Sequence, residues 1–257
     1  MSRPRFYVPP GTLNGPEAFL GDQLAHRIVR VLRLAPGDRV YLFDGTGLEV
    51  EAVITDVARH QVRARVLAAY RPHTEPKAQV VLHQALIASD RFEWVLEKGT
   101  ELGVAGFAPL ICARNTVRLP TNRRSLERKL QRWRAVVTAA AEQSHRTVPP
   151  IVTSPVTFAQ ALARTGDRAV VAWERSKSPA SSLLPTLLFR DQRPITLLVG
   201  PEGGLTDEEA AAAEEAGAAL VSLGPRVLRA ETAAVVMAAL ILYHLGELSP
   251  SRPASPA

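Results

Sequence analysis

From Val80 onward, short apolar segments alternate with helical segments, and this alternation constrains the fold more than any other feature of the chain. The apolar segments are VVLHQAL, GFAPLICA, AVVAWE, ITLLVG and ALVSLG, and helix-forming stretches lie between most of them. Such a repeat of strands and helices favours an α/β architecture with a mostly parallel sheet. We predict that one of its helices ends at Gly103 and that the last helix spans about residues 231–245.

The first 70 residues follow a different pattern, in which β-rich runs are separated by turn signals such as PGD and DGTG. Apolar residues keep helical spacing here over residues 22–34. Residues 71–79 contain two prolines and no periodicity, which indicates a linker. We therefore predict domains at residues 1–72 and 73–248, followed by a disordered tail at residues 249–257.

A dense glycine loop, GPEGGLTDEE, follows the apolar run ITLLVG and precedes a predicted helix. Gly200, Gly203 and Gly204 permit positive φ and a close approach of the backbone to a ligand. Thr206 and Glu209 have the spacing of a capping box, which fixes the start of the helix. In open α/β sheets ligands bind beyond the carboxyl ends of the strands, where this loop is expected to lie.

The composition of the glycine loop limits its ligand. The loop lacks the lysine of a Walker loop and the spacing of a dinucleotide-binding loop. Glu202 and the acidic residues 207–209 would repel a phosphate. The loop therefore suits a neutral or cationic ligand, unless it is a glycine-rich turn of no special function.

A second loop, LGPRVLRAETAA, leads from the strand ALVSLG into the last helix. Arg226 and Arg229 lie in an otherwise apolar segment, and Glu231 begins a helix that carries almost no further charge. The helix dipole favours an acid at this position, so Glu231 fits a structural cap. Beside a glycine loop, however, an arginine can also hold an anion and a glutamate can accept a proton.

Charge and cysteine content narrow the class of protein. The net charge of +6 attracts polyanions such as nucleic acid, although a generic basic surface explains it as well. A single cysteine, Cys112, excludes an internal disulfide, favours a cytoplasmic protein and is predicted to lie in the core. We expect no signal peptide, no membrane span and no metal site, because the apolar runs are short and the histidines lack ligand spacing.

Three segments, GPEGG, LGPRVLRAET and AAAEQSHR, together resemble the RsmE-type ribosomal RNA uridine N3-methyltransferases of the SPOUT superfamily. The segments EKGTELGV and FAPLICAR fit that family too, and HRIVRVLRLAPGDRVYLFDGTG is similar to its N-terminal RNA-binding domain. The resemblance extends to about Glu247. It implies an α/β SPOUT methyltransferase domain with a C-terminal trefoil knot, a rare topology, and a small PUA-like β-barrel domain.

The resemblance also implies a function. The expected reaction is the methylation of a uridine at ring nitrogen N3 in 16S ribosomal RNA, with S-adenosyl-L-methionine as the cofactor. The expected partners are 16S rRNA within the small ribosomal subunit and a second copy of the chain in a homodimer. The cofactor carries a sulfonium cation and no phosphate, which agrees with a glycine loop that lacks lysine.

Candidate site residues come from the two loops and from the basic N-terminal region. The cofactor-binding candidates are Leu198, Val199, Gly200, Glu202, Gly204, Leu223, Gly224, Arg226 and Leu228. The RNA-binding candidates are Arg3, Arg5, Arg27, Arg30 and Arg33. Arg229 is the candidate for stabilising the anionic base and Glu231 for accepting its proton, with a helix cap or an arginine partner as the alternative for Glu231. Trp173 and Glu174 end a predicted strand, so they are candidates for the pocket rim.

The same sequence features allow other interpretations. A solvated helix face explains Arg27, Arg30 and Arg33 as well as RNA contact does, and the same applies to the basic segment at residues 123–132. The chain can also be a SPOUT RNA methyltransferase with another target, such as a ribose 2′-hydroxyl or a different base. A non-catalytic rRNA-binding assembly factor is a third hypothesis, which the presence of both GPEGG and LRAET disfavours.

Overall fold

The structure, a computed structural model, describes residues 4–182 and 193–249 of the 257-residue chain. The chain divides into two compact units. One consists of Met1–Glu75 and Ala141–Pro149, and the other consists of Pro76–Ala140 and Pro150–Ala257. The first unit therefore includes a short segment from much later in the chain. The predicted domains, residues 1–72 and 73–248, are each continuous and do not contain this exchange.

The first unit contains a five-stranded sheet with the strand order β1-β3-β4-β5-β2. Its strands are β1 Arg5–Tyr7, β2 Glu17–Leu20, β3 Arg39–Phe43, β4 Glu49–Val57 and β5 Val62–Tyr70. The β1–β3 pair is parallel and the other pairs are antiparallel. Alternate side chains along these strands fill an apolar core that includes Phe6, Leu42 and Ile54. The predicted β-rich runs correspond to four strands, whereas β2 is too short to show a clear alternation.

The segment predicted as a helix at residues 22–34 forms two shorter pieces. Helix α1 spans Asp22–His26 and continues as a π-helix over Arg27–Val31. The amide of Leu32 donates to the carbonyl of Arg27 at 3.0 Å, one residue wider than an α-helical turn. Arg33 then has a φ of 57°, in the left-handed region, so the prediction is wrong for the last residues.

Residues 141–149 are held in the first unit by charged side chains. Glu142 accepts a hydrogen bond from the amide of Tyr7 at 3.0 Å and pairs with Arg27 at 2.6 Å. Buried Arg146 pairs with Glu75 at 2.7 Å, and Glu75 also accepts from the amide of Thr147 at 2.8 Å. The motif EQSHR thus has a structural function within this unit.

The second unit contains a seven-stranded parallel sheet, as the alternation of strands and helices predicts. Its order is β12-β10-β11-β6-β7-β8, with β9 also paired to β7. The strands are β6 Val80–Ala85, β7 Gly106–Ile111, β8 Ile151–Val152, β9 Val156–Thr157, β10 Ala169–Ala172, β11 Ile195–Val199 and β12 Ala219–Val221. Parallel strands bring all the following loops to one edge of the sheet.

Helices accompany this sheet, and two apolar clusters form its core. The helices are α2 Ser89–Leu102, α3 Arg123–Ser144, α4 Phe158–Thr165, α5 Asp207–Glu215 and α6 Ala230–His244. Phe92, Trp133 and Met237 belong to one cluster. The predicted end of α2 is confirmed, because Gly103 adopts the left-handed conformation with a φ of 111°. The predicted last helix matches α6 to within one residue at each end.

Within residues 4–182 and 193–249, no helix is long and apolar enough to span a membrane. The same residues contain no group of three or more His, Cys, Asp or Glu side chains that could hold a metal ion. Cys112 is buried in the core of the second unit, as predicted. Burial, followed by the charge of Glu209, raises the pKa of its thiol, which disfavours a nucleophilic thiolate.

His83 gives the fold an expected pH dependence. It is 8% exposed in β6, and burial, followed by the charge of Arg164, lowers its pKa to about 4. As the pH falls, His83 is protonated in the unfolded chain at a higher pH than in the folded chain. Its contribution to the free energy of unfolding is therefore complete above about pH 6.5 and is lost as the pH drops toward 4. We expect His83→Gln to remove roughly 2–3 kcal/mol of the stability difference between pH 7 and pH 4.5, measured by urea unfolding. An identical pH dependence of the free energy of unfolding in both proteins would contradict this assignment.

Candidate active site

A cavity of about 570 Å³ opens in the second unit, beyond the carboxyl ends of β10, β11 and β12. Ligand pockets typically have volumes of roughly 300–1,000 Å³. The cavity is lined by the strand ends, the glycine loop, the second loop and one residue of α2. These are Arg91, Ala172, Trp173, Glu174, Val199, Gly200, Pro201, Glu202, Gly203, Gly204, Leu205, Val221, Leu223, Gly224, Arg226, Val227, Leu228, Arg229, Ala230 and Ala233.

The glycine loop follows β11 and requires glycine at defined positions. Gly204 has a φ of 71°, and a Cβ atom built there would lie 3.2 Å from Oε1 of Glu174. A Cβ at Gly200 would lie 3.1 Å from the side chain of Leu205. The predicted capping box is confirmed: the amide of Glu209 donates to Oγ1 of Thr206 at 3.1 Å, and the amide of Thr206 donates to Glu209 at 3.0 Å. The loop therefore presents main chain to the cavity.

Side chains from the segment after β7 hold the glycine loop in place. Nη1 of Arg114 donates to the carbonyl oxygens of Gly203 at 3.2 Å and Leu205 at 3.1 Å. The amide of Ala113 donates to Oε1 of Glu209 at 2.8 Å. The same segment is tied to the end of β6 by Asn115, whose Nδ2 donates to the carbonyl of Leu86 at 2.7 Å. The sequence carries no specific signal for these contacts.

Replacing Arg114 by alanine should loosen the glycine loop without unfolding the unit. The substitution removes two hydrogen bonds from a charged donor. Because Arg114 is exposed to solvent, we expect the free energy of local opening of the loop to fall by only about 1–2 kcal/mol. We expect amide hydrogen exchange in residues 203–206 to accelerate by about tenfold. Arg118→Ala, an exposed residue in the same segment, is the control. Equal exchange rates in both variants would show that Arg114 does not hold the loop.

The second loop connects β12 to α6. Gly224 has a φ of 103°, and its amide donates to Oγ of Ser222 at 3.3 Å. Arg229 occupies the N-cap position of α6 but makes no side-chain cap hydrogen bond. Arg226 and Arg229 are exposed, and neither forms an ion pair within the described part of the chain. Both guanidinium groups are therefore available to a ligand.

Glu231 lies in the first turn of α6, immediately beside the cavity. It is 8% exposed, and its Oε1 lies 3.7 Å from Nε of Arg91. Its Oε2 is buried and has no hydrogen-bond partner among the described residues. A buried carboxylate requires a compensating charge. Arg91 provides it, and Nη1 of Arg91 also lies 3.8 Å from Oε1 of Glu202.

The structure brings most of the cofactor-binding candidates together. All of them line the cavity except Leu198, which lies inside β11 with its side chain in the apolar core. Strands β10 and β6 flank its main chain. Trp173 and Glu174 lie at the cavity, as predicted for the pocket rim. The indole Nε1 of Trp173 is buried without a hydrogen-bond partner in the described residues.

Arg91 is a cavity residue that the sequence does not single out. It lies in the first turn of α2, which follows β6, and no local motif marks it. The neighbouring position of β6 and β11 in the sheet brings the start of α2 to the glycine loop. The sequence offers one weak indication that Arg91 belongs to the site, namely a positive charge shortly after a strand of the parallel sheet.

The predicted RNA-binding arginines of the first unit differ in how far their side chains are exposed and free to contact RNA. Arg5 forms a largely buried ion pair with Glu49, and burial lowers the pKa of its guanidinium. Arg27 pairs with Glu142 but is about half exposed. Arg30 and Arg33 are exposed. Arg3 lies outside the described residues.

Family models match both parts of the chain. Residues 74–242 match the model of an RNA methyltransferase domain, and residues 20–67 match the model of an RNA methyltransferase PUA domain. The two matched segments together contain the whole sheet of the second unit and much of the first unit. The cavity residues lie within the first of these matches.

Named relatives extend over most of the chain. The ribosomal RNA small subunit methyltransferase E of Bacillus subtilis is 34% identical over 224 residues, which cover 85% of this chain and 87% of that protein. The protein of the same name from Synechocystis is 37% identical, covering 84% of this chain and 69% of that protein. The similarity therefore involves both units rather than a single motif.

Solved structures share the fold. The ribosomal RNA small subunit methyltransferase E of Neisseria gonorrhoeae, solved with bound S-adenosyl methionine, is 31% identical with a TM-score of 0.83. It covers 94% of this chain and 98% of its own. A protein of Legionella pneumophila solved with the bound cofactor SAM is 28% identical, has a TM-score of 0.85 and covers 95% of this chain and 98% of its own. The fold is thus that of SPOUT-type RNA methyltransferases with a PUA domain.

Proposed function

The chain belongs to the RNA methyltransferase family, and from this premise we propose that it transfers the methyl group of S-adenosylmethionine to ring nitrogen N3 of a uridine in 16S ribosomal RNA. One observation carries the proposal. The two loops of the second unit enclose a cavity that is lined by glycine main chain and, among the described residues, carries arginines and carboxylates but no lysine. The relatives act on small-subunit rRNA by name, which supports the substrate.

The residues of the cavity fit S-adenosylmethionine, which supplies an electrophilic methyl group on a sulfonium cation. The groups that would hold it are Val199, Gly200, Glu202, Gly204, Leu223, Gly224, Arg226 and Leu228. Carboxylates of Glu202 and Glu174 favour a cationic ligand. The glycines leave the main-chain groups accessible to the adenosine portion.

Two side chains are proposed to act on the base. Uridine N3 carries a proton at neutral pH, so it becomes a nucleophile only when that proton is removed. Glu231 would accept the proton, and Arg229 would donate hydrogen bonds to a carbonyl oxygen on which the negative charge develops. Support for this assignment comes from the orphaned carboxylate oxygen of Glu231 and the unpaired, exposed guanidinium of Arg229 in the described residues.

Further properties belong to the same proposal. We assign RNA binding to residues 1–72, with Arg27, Arg30 and Arg33 as the contacts that exposure favours and Arg3 and Arg5 as further candidates. Residues 73–248 form the catalytic domain, with a trefoil knot near the C-terminus. Residues 250–257 of the tail predicted at 249–257 lie outside the described residues. The enzyme acts in the cytoplasm as a homodimer on the small ribosomal subunit. The PUA match and the net charge of +6 support the RNA-binding part.

Product mapping tests the proposed function. The protein is incubated with labelled S-adenosylmethionine and with either deproteinised 16S rRNA or assembled small subunits, and the modified nucleotide is mapped. We expect 3-methyluridine at one position. If the labelled methyl group is found on a ribose 2′-hydroxyl or on another base, the enzyme has a different target. Cofactor binding without transfer to either RNA would favour the assembly factor instead.

A further inference from the structure

The side chain of Arg91 occupies an unusual position at the cavity. Its guanidinium lies between two carboxylates, with Nη1 3.8 Å from Glu202 and Nε 3.7 Å from Glu231. These distances are within ion-pair range but exceed the length of a hydrogen bond. The two carboxylates therefore orient the guanidinium without using its N–H groups.

The donors of Arg91 remain open to a ligand. Within residues 4–182 and 193–249 its side chain donates no hydrogen bond, although it lines the cavity and is only 39% exposed. A partly buried guanidinium has five N–H donors in a fixed fork. A guanidinium held in place with its donors unused is suited to bind an acceptor that enters the cavity.

The neighbouring charges select the kind of acceptor. A phosphate group near Arg91 would also lie near Glu202 and Glu231, and both carboxylates would repel it. A neutral carbonyl oxygen meets no such repulsion and can accept the hydrogen bond. Carbonyl oxygens on the target base are such acceptors, and they gain negative charge when the adjacent ring nitrogen loses its proton.

We propose that Arg91 is a specificity-determining residue that donates to one carbonyl oxygen beside N3 of the target uracil, while Arg229 donates to the other. This inference rests on the proposed function. Arg91 and Arg229 both line the cavity, and Glu231 contacts Arg91 while lying two residues after Arg229. The proposed proton acceptor therefore contacts Arg91 and lies in the helical turn that follows Arg229.

Two guanidinium groups flanking N3 would make the site favour uracil over cytosine. Uracil presents a carbonyl oxygen on each side of N3. Cytosine presents an amino group on one side, and this donor would face a guanidinium that can only donate. Binding cytosine would thus leave a cavity donor unpaired, which discriminates strongly in a partly buried site.

The test is a cycle that combines protein variants with modified RNA. Arg91→Gln removes the charge and Arg91→Lys retains it without the planar fork. Lys98→Gln, on the same helix but paired with Glu97 and Glu101 outside the cavity, is the matched control for loss of a positive charge. Each protein is assayed under single-turnover conditions on RNA with uridine, 2-thiouridine or 4-thiouridine at the target position, and S-adenosylmethionine affinity is measured by calorimetry.

We expect Arg91→Gln to reduce the rate constant of methyl transfer about 100-fold with cofactor affinity within about twofold of the wild type. Arg91→Lys should be intermediate, and Lys98→Gln unchanged. Sulfur is a poor acceptor, so one of the two thiouridines should reduce the ratio of the wild-type rate to the Arg91→Gln rate by about tenfold. The altered acidity of the thio base cancels in this ratio, because it affects both proteins.

Two results would overturn the inference, and they are distinguishable. If the ratio of rates is the same for all three RNAs, or if Arg91→Gln loses cofactor binding in parallel with activity, Arg91 does not contact the base. If the wild type transfers no methyl group to the uridine RNA, the proposed function fails, and the inference fails with it.

Discussion

Replacing Gly204 by valine should reduce the affinity for S-adenosylmethionine at least 100-fold, equivalent to about 2.7 kcal/mol. Gly204 has a φ of 71°, which a β-branched residue adopts only with strain of about 1–3 kcal/mol. A Cβ atom there would also lie 3.2 Å from the carboxylate of Glu174. To relieve the backbone strain or the close contact with Glu174, the main chain of the loop that faces the cavity has to move. Calorimetric titration with the cofactor measures the effect.

A matched control separates loss of the cavity from loss of stability. Gly37 has a φ of 100° and lies in the first unit, and a Cβ atom added there would meet no atom of the described residues within 4 Å. Gly37→Val should therefore lower the melting temperature through backbone strain and leave the cofactor affinity within about twofold of the wild type. Equal affinities of Gly204→Val and Gly37→Val would mean that the glycine loop does not contact the cofactor.

Replacing Glu231 by glutamine should lower the turnover number by about 10²–10⁴-fold and leave cofactor binding intact. The amide has nearly the same shape as the carboxylate but cannot accept a proton from N3. Because Glu231 lies beside the cavity rather than among the residues that line it, its loss should not change the surface that the cofactor contacts. Steady-state kinetics with small subunits as the substrate gives the turnover number.

Glu214→Gln is the control for this experiment. Glu214 is exposed on α5, and its replacement makes the same change of charge away from the cavity. Turnover of Glu231→Gln equal to that of Glu214→Gln, with normal cofactor binding, would remove Glu231 from the role of proton acceptor. Glu231 would then be a buried partner that anchors Arg91.

Local features of the fold could be predicted because they depend on neighbouring residues. The capping box needs only Thr206 and Glu209 at the correct spacing, and the end of α2 needs only a glycine that adopts positive φ. The π-helix at Arg27–Val31 could not be predicted, since the apolar spacing there also fits an α-helix. In the same way, the alternation of strands and helices indicates a parallel sheet but does not specify the order of its strands.

The candidate site was only partly predictable for the same reason. Gly200, Gly204, Arg226 and Arg229 belong to two loops that each carry a visible motif, and both loops line the cavity. Arg91 reaches the cavity because β6 pairs with β11 in the sheet. Arg114 contacts the glycine loop from 89 residues away in the chain. Such long-range contacts depend on strand order, which one sequence does not reveal.

The proposed function requires that the cavity bind a methyl donor without phosphate. Its most direct test is calorimetric titration of the wild-type protein with S-adenosylmethionine, its demethylated product and ATP in parallel. We predict saturable heat with the first two ligands, at one site per chain, and none with ATP, because Glu202 and Glu174 repel phosphates. Absence of heat with S-adenosylmethionine, or binding of ATP at the same site with equal affinity, would show that the cavity is not a site for a phosphate-free methyl donor.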